Sequence, residues 1–195
     1  MALQCEWPPF TCYPIIMLAS SGFTNLNNNK NMRVALFPGT FDPVTFGHLD
    51  IIERALPLYD KLFVGIGINS NKQPMFSAET RVQWLNELFK NEPRVEAVIY
   101  DGLTVECCKK VGANYILRGI RYVNDFEYEK AIADMNRTLD ENIETIFLTC
   151  LPKYTSVAST LVRDVIRNGG DVSQFVPVTV LRTIGLRING KGVFA

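Results

Sequence analysis

The sequence lacks an excess of charge of either sign, because 20 Lys and Arg residues balance 20 Asp and Glu residues. A neutral chain offers no global field for nucleic acid or for an acidic surface, so no nucleic-acid partner is expected and any phosphate site must be local. The apolar patch at residues 15–19 is too short to span a bilayer, and we expect no membrane segment. Histidine is also scarce, since His48 is the only one in the chain.

The five cysteines form neither a CxxC motif nor a Cys/His ligand pattern; they are Cys5, Cys12, Cys107, Cys108 and Cys150. Adjacent cysteines such as Cys107 and Cys108 seldom pair with each other. Free thiols in a reducing compartment are the simplest interpretation, so a cytoplasmic location is expected. A redox or metal protein that uses Cys107 and Cys108 is the weakest alternative, because no ligand partners lie at suitable spacing.

Length and composition predict one domain. A chain of 195 residues with 47% hydrophobic residues can bury one substantial core. Residues 1–31 are proline-rich and then asparagine-rich, without the basic start of a signal peptide, so we expect an irregular N-terminal extension followed by a domain over residues 32–195. Met32 directly precedes the first strand, and a native extension, a misassigned start codon or an expression remnant would each account for this arrangement.

From Met32 onward, buried strands alternate with amphipathic helices. Strands are predicted at residues 34–37, 61–68, 94–100, 114–117 and 145–150, and helices at 47–56, 78–89, 103–111, 125–139, 159–168 and 177–186. This alternation predicts an α/β fold: a Rossmann-like open five-stranded parallel sheet with helices on both faces and C-terminal helices.

Polar residues follow the predicted strands at their carboxyl ends. These residues are Thr40, Lys72, Arg118, Arg121 and the segment 154–160. Because the carboxyl ends of parallel strands meet at one edge of a sheet, we expect the residues to line one crevice. Each also has a plainer interpretation: Lys72 as a solvated loop residue, and the arginines as members of surface salt bridges.

The stretch 34–50, VALFPGTFDPVTFGHLD, is the most informative part of the chain. An apolar strand ends at a Pro38-Gly39-Thr40 break, and a helix starts near Gly47 with His48 in its first turn. Such a helix start attracts anions, and an imidazole that donates a hydrogen bond, or carries charge if its pKa is raised, would make the place suitable for phosphate. The alternative is an ordinary βα turn in which His48 only caps or packs.

The hydroxyl-rich segment from Tyr154 leads into the predicted helix at 159–168. Ser159 and Thr160 would cap this helix, and the same helix start can also bind phosphate through its backbone N–H groups. Asp125 fits an N-cap of the preceding long helix. Glu127 and Glu129 lie near that helix's positive end, where helix stabilisation is a sufficient explanation for at least one of them.

Five ordered blocks of the chain resemble the bacterial phosphopantetheine adenylyltransferases of the nucleotidyltransferase superfamily, whose signature is T/HxGH. The blocks are PGTFDPVTFGH, Lys72-Gln73-Pro74-Met75-Phe76, LRGIRYVNDFEYE, the pair Asn136-Arg137 and VASTLVRD. Thr45, where the superfamily often has histidine, favours this branch over the cytidylyltransferases. The resemblance implies a homohexameric cytoplasmic enzyme of coenzyme A biosynthesis, which joins 4′-phosphopantetheine to ATP with Mg²⁺ and releases dephospho-coenzyme A and pyrophosphate.

The resemblance also implies residue roles. His48 would stabilise the transition state, and Mg²⁺ would be held by the ATP phosphates without protein ligands. The residues implied to bind phosphopantetheine are Thr40, Lys72, Thr104 and Arg118. Those implied to bind ATP are Thr40, Phe41, His48, Gly119, Ile120, Arg121, Glu129, Tyr154, Thr155, Ser156, Val157, Ala158, Ser159 and Thr160. Two positions depart from the family pattern, since many relatives have serine in place of Ala158 and some have tryptophan in place of Tyr154.

Direct displacement at phosphorus is the simplest mechanism, because the motifs contain no cysteine nucleophile, no serine beside a second histidine and no paired carboxylates. Two rival functions remain open at this point. One is another small-molecule nucleotidyltransferase, with nicotinate mononucleotide or glycerol phosphate as acceptor. The other is a non-catalytic nucleotide-binding module, in which Ala158 marks a lost contact.

Overall fold

The computed structural model describes residues 32–68 and 73–189. The predicted extension, residues 1–31, lies outside the described residues, and so does Lys72. Strands and helices alternate in the order β1 (Val34–Gly39), α1 (Phe46–Ala55), β2 (Lys61–Ile68), α2 (Ala78–Leu88), β3 (Val95–Asp101), α3 (Thr104–Val111), β4 (Tyr115–Ile120), α4 (Val123–Leu139), β5 (Glu144–Thr149), a 3₁₀ turn (Pro152–Tyr154), α5 (Ser159–Arg167) and α6 (Val178–Asn189).

The five strands form one parallel sheet in the order β3-β2-β1-β4-β5. The chain winds outward from β1 to β3 on one side, then returns to place β4 and β5 on the other. The carboxyl ends of β1 and β4 therefore lie side by side where the winding reverses, which is where open α/β sheets bind ligands. The predicted Rossmann-like α/β sheet is confirmed.

Helices cover both faces of the sheet because successive residues of β1 point in opposite directions. Ala35 and Phe37 belong to a core cluster shared with α1, α2, α5 and α6. Leu36 belongs to a second cluster with Val105 and Cys108 of α3. Both clusters meet β1, so the strand that leads into the candidate site is held rigidly from either side.

Most predicted boundaries lie within one residue of those observed, but β1 continues two residues further than predicted, through Pro38 and Gly39. Both residues pair in register with β2. The proline is tolerated because β4 pairs with β1 only at Ala35 and Leu36, so no bond to β4 is lost at Pro38. The Pro38 carbonyl instead accepts a hydrogen bond from the Arg118 side chain at 2.8 Å.

β4 also differs from the prediction, because it ends at Ile120 and therefore contains Arg118 and Gly119. Pairing with β5 extends the strand, with Arg118 opposite Phe147 and Ile120 opposite Thr149. At Gly119 a Cβ would lie 3.2 Å from Cγ1 of Ile51, so glycine allows α1 to pack closely against the strand.

The predicted helix caps were partly wrong. Ser77 caps α2 as predicted, accepting a hydrogen bond from the Thr80 N–H. Helix α4 begins at Val123, two residues before the predicted start, with Tyr122 as its N-cap. Helix α5 has Ala158 at its N-cap and no side-chain cap, because the Ser159 hydroxyl donates to the Pro43 carbonyl instead.

Helix α6 runs from Val178 to Asn189, beyond the predicted end at residue 186. Its buried residues Val180 and Ile184 pack into the core cluster that also contains Trp84 of α2. The Trp84 indole N–H donates to the Thr183 hydroxyl at 2.9 Å. Packing against α2 therefore anchors this helix to the domain.

Candidate active site

A cavity of about 600 Å³ lies at the carboxyl ends of β1, β2 and β4. The turn after β1 and the first turn of α1 form its floor. One wall comes from β2, from Gln73 and Pro74, and from α2. The other comes from β4, the 3₁₀ segment and α5. Since β1 lies between β2 and β4, the two walls stand on opposite sides of the Thr40 turn.

His48 lies in the first turn of α1 at the floor of this cavity. Its Nδ1 accepts a hydrogen bond from the backbone N–H of Thr45 at 3.1 Å, and the Thr45 hydroxyl lies 3.2 Å from the same nitrogen. An Nδ1 that accepts from a backbone amide carries no proton. The neutral ring must therefore hold its proton on Nε2, which leaves Nε2–H as a donor for a ligand.

Burial keeps this imidazole neutral. Desolvation first, and then the positive charge of Arg121, lower the pKa of His48 from 6.5 to about 4. One sequence-based alternative, a cationic His48 with a raised pKa, was therefore wrong. His48 does cap its helix, as the plainer interpretation held, but the cap uses only one ring nitrogen, so capping and ligand binding are compatible.

Aromatic rings fix the imidazole plane. The Phe41 ring lies 4.9 Å from the His48 ring, centroid to centroid, in an edge-to-face arrangement, and Phe37 packs against Phe41 at 5.4 Å. Phe41 adopts a left-handed backbone conformation, with φ of 50°. A bulky residue rarely takes this conformation, so the turn after β1 is held in a strained form that places the buried Phe41 ring against His48.

The pKa of His48 leads to a testable expectation for the unliganded protein without an affinity tag. Because this is the only histidine, its NMR ring signals report one site, and their titration midpoint is expected near pH 4. The unfolded chain binds the proton near pH 6.5, so stability should fall as the pH drops from 6.5 to 4, by roughly 3 kcal/mol. A midpoint near 6.5 would contradict a ring that desolvation keeps neutral.

Comparison with known proteins identifies the family. The model of the cytidylyltransferase-like family matches residues 36–165 of this chain. The phosphopantetheine adenylyltransferase of Flavobacterium psychrophilum is 54% identical over 149 residues, which cover 76% of this chain and 98% of that protein. The chain belongs to the phosphopantetheine adenylyltransferase family. Two further phosphopantetheine adenylyltransferases are similar as well. That of Lachnoclostridium phytofermentans is 44% identical over 160 residues, which cover 82% of this chain and 98% of that protein. That of Bacteroides fragilis is 48% identical over 146 residues, which cover 75% of this chain and 97% of that protein.

Membership of the phosphopantetheine adenylyltransferase family confirms the resemblance seen in the sequence motifs and makes the chain a nucleotidyltransferase. Among the residues that the structure describes, no helix is both long and apolar enough to cross a bilayer.

The structure brings most of the predicted site residues of this chain together. Those that line the cavity are Thr40, Phe41, His48, Arg118, Gly119, Arg121, Tyr154, Val157, Ala158, Ser159 and Thr160. Those that lie outside its lining are Thr104, Ile120, Glu129, Thr155 and Ser156. The ligand contacts implied for both groups stay predictions.

Two of the residues outside the lining have other partners. The Thr104 hydroxyl lies 3.2 Å from the Tyr100 hydroxyl. Glu129 binds Arg118 through both carboxylate oxygens, with Nε–Oε2 at 2.7 Å and Nη2–Oε1 at 2.5 Å. Because Arg118 also donates to the Pro38 carbonyl, its guanidinium is fixed from two sides. Glu129 therefore fixes the orientation of Arg118, which lines the cavity.

Three further arginines follow on the same wall. Arg121 pairs with Asp125 at 3.1 Å. Arg163 donates to the Asp42 carbonyl at 2.5 Å and to the Thr160 hydroxyl at 3.2 Å, which ties α5 to the turn after β1. Arg167 lines the cavity as well. The β4–α5 wall therefore presents four arginines to the cavity.

Asp42, Arg81 and Arg163 also line the cavity, although sequence reasoning did not single them out as site residues. Asp42 and Arg163 stand inside the motif blocks, in PGTFDP and VASTLVR, so the signal was present but was not used. The buried Asp42 carboxylate accepts hydrogen bonds from the N–H groups of Met75 and Phe76 at 2.8 and 2.9 Å. Asp42 thereby joins the turn after β1 to the segment that follows Lys72.

Proposed function

We propose that this chain transfers the adenylyl group of ATP to 4′-phosphopantetheine, giving dephospho-coenzyme A and pyrophosphate. The observation that carries the proposal is a cavity in which a neutral, partly buried His48 lies between two walls that both present arginine. Both reactants are anionic, so the main task of the site is to hold them together and to absorb negative charge as the reaction proceeds.

In this mechanism, a phosphate oxygen of phosphopantetheine attacks the α-phosphorus of ATP in line, the new P–O bond forms, and the bond to the leaving pyrophosphate breaks. Thr40 and Lys72 hold the attacking phosphate. His48 donates its Nε2–H to the α-phosphoryl group, and Arg121 adds positive charge beside it. Donors fixed in place before the reaction stabilise the transition state without rearranging.

The start of α5 binds the ATP phosphates in this proposal. No side chain caps this helix, so its first backbone N–H groups are not occupied by an N-cap oxygen. Ala158 therefore removes one hydroxyl contact but leaves these N–H groups free to donate to phosphate. The nearby side chains of Thr160 and Arg163 support the same ligand.

We propose that Mg²⁺ enters with ATP, as a hard cation that prefers oxygen ligands. No group of three or more His, Cys, Asp and Glu side chains suited to a metal occurs among residues 32–68 and 73–189. The buried carboxylate at the cavity, Asp42, is engaged by backbone N–H groups. The residues present thus fit a metal that is held by the triphosphate, whose charge the metal would reduce.

A homohexamer and a cytoplasmic location complete the proposal. Helix α4 has no buried residue, and it exposes apolar side chains along one side, namely Tyr128, Met135 and Leu139. An apolar helix face of this kind supports burial against further copies of the chain.

The cysteines bear on the proposed location. Burial raises the pKa of the Cys108 thiol to about 12 and also raises that of Cys107. Inert, reduced thiols suit the cytoplasm and disfavour the redox alternative.

An acceptor panel tests the proposed function. The purified protein is incubated with ATP and Mg²⁺ and, separately, with phosphopantetheine, nicotinate mononucleotide or glycerol phosphate, and pyrophosphate release is followed. Release with phosphopantetheine alone is the expected result. Release with another acceptor would favour a different nucleotidyltransferase. No release with any acceptor, in a protein that binds ATP, would favour the non-catalytic module.

A further inference from the structure

Arg81 is the cavity arginine that forms no ion pair within the described part of the chain. The other four each form an ion pair: Arg118 with Glu129, Arg121 with Asp125, Arg163 with Asp42 and Arg167 with Asp164. Arg81 forms no ion pair with any residue in the described part of the chain, although it is only 4% exposed. Buried charges are normally paired, so an unpaired one calls for a counterion.

Backbone carbonyls hold the Arg81 guanidinium in place. Its Nε donates to the Ser77 carbonyl at 3.2 Å and its Nη1 donates to the Thr40 carbonyl at 2.6 Å. Its second terminal nitrogen, Nη2, forms no hydrogen bond with a described residue. Since no buried side-chain nitrogen of those residues lacks a partner, Nη2 must be open to the cavity that Arg81 lines.

The surroundings keep the guanidinium charged but poorly solvated. Burial lowers the pKa of Arg81, and the charges of Asp42 and Glu79 partly oppose that effect. An arginine stays protonated in proteins even so. A desolvated cation with an open N–H group attracts a phosphate oxygen more strongly than a solvated surface arginine does.

The position of Arg81 decides which phosphate it would meet. Arg81 belongs to α2, which packs on β2 and β3, so it reaches the Thr40 turn from the wall opposite Arg121 and Arg163. Arg121 and Arg163, on the β4–α5 wall, face the proposed place of the ATP phosphates. Lys72, proposed to hold the acceptor phosphate, lies outside the described residues, but in sequence it comes between β2 and α2.

We propose that Arg81 binds the phosphate monoester of the acceptor substrate from the β2 side of the cavity, while its other nitrogens fix the Thr40 carbonyl. This inference rests on the proposed function, since it assigns a role to Arg81 in holding the attacking group. The acceptor phosphate would then meet Arg81 from the β2 side of the Thr40 turn and Arg118 from the β4 side, while Arg121 and Arg163 serve ATP.

Steady-state kinetics of Arg81→Gln test the proposal, with KM measured separately for phosphopantetheine and for ATP. Loss of a charged hydrogen bond should raise the KM for phosphopantetheine about tenfold or more, with the KM for ATP within about twofold of wild type. Arg81→Lys keeps a charge and should give a smaller rise. The matched control is Arg182→Gln, an exposed arginine of α6 that pairs with Glu87 of α2, and it should change neither constant.

An unchanged KM for phosphopantetheine in folded Arg81→Gln, or a rise confined to ATP, would overturn the proposal. Should the variant fail to fold, crystals of the wild-type protein with inorganic phosphate decide the matter. A phosphate oxygen within hydrogen-bond distance of Nη2 supports the assignment, whereas no phosphate on the β2 side of the cavity overturns it. Wild-type protein that makes no product would defeat the proposed function, and the phosphate crystals would still test Arg81.

Discussion

Replacing His48 with alanine is expected to lower turnover by roughly a hundredfold or more, the usual effect of removing one fixed donor from a transition state. The neutral ring donates through Nε2 because Nδ1 is occupied by the Thr45 N–H. Alanine cannot supply that donor. The measurement is kcat for dephospho-coenzyme A formation, in a variant whose fold is verified by circular dichroism. Turnover close to that of wild type would refute the role given to His48.

The same substitution should also cost some stability, because the ring caps α1 and packs against Phe41. Loss of a helix cap typically costs about 0.5–2 kcal/mol. His48→Gln provides the matched control, since glutamine at this helix position can accept the hydrogen bond from the Thr45 N–H. The glutamine variant should recover stability in urea unfolding. The two variants together separate capping from catalysis.

Asp42→Ala should have the largest effect on stability, a loss of roughly 3 kcal/mol, because it removes the carboxylate that accepts hydrogen bonds from Met75 and Phe76. The site is only 4% exposed, so water does not readily replace the lost acceptor. Urea unfolding measures the change. Asp134→Ala is the control, because Asp134 is an exposed carboxylate paired with Lys130 on α4 and should change stability by less than about 0.5 kcal/mol.

Asp42→Ala should also weaken binding of the acceptor. The lost hydrogen bonds join the turn after β1 to the segment that follows Lys72, so a looser join should raise the KM for phosphopantetheine more than the KM for ATP. A variant that is as stable as wild type would show that the Asp42 carboxylate does not hold this segment. An equal rise of both KM values would argue against a role for it on the acceptor side.

The parts of the fold that could be predicted are those with local causes. The sequence predicts β1 and β2 from their apolar runs and α2 from its amphipathic face, because strand and helix periods depend on neighbouring residues. The end of β4 could not be located in this way. Arg118 and Gly119 look like a strand exit in sequence, but pairing with β5 keeps them in the sheet.

The candidate site also contains residues that local sequence predicts and residues that only the folded chain brings together. Thr40 and His48 belong to one continuous motif, so the sequence places them together. The amide partners of Asp42 lie 33 and 34 residues further along the chain, and the carboxylate of Glu129 turns toward Arg118 only after β4 and α4 have packed. Arg81 belongs to no motif, and only its burial and the lack of an ion pair with any described residue reveal it.

The most direct test of the central claim, direct transfer between two anions held in one cavity, is the stereochemical course of the reaction at the α-phosphorus. The protein is supplied with phosphopantetheine and ATP that is made chiral by a sulfur atom at that phosphorus, and the configuration of the dephospho-coenzyme A analogue is determined. A single in-line displacement predicts inversion. Retention would require a covalent adenylyl-enzyme intermediate and would contradict the account.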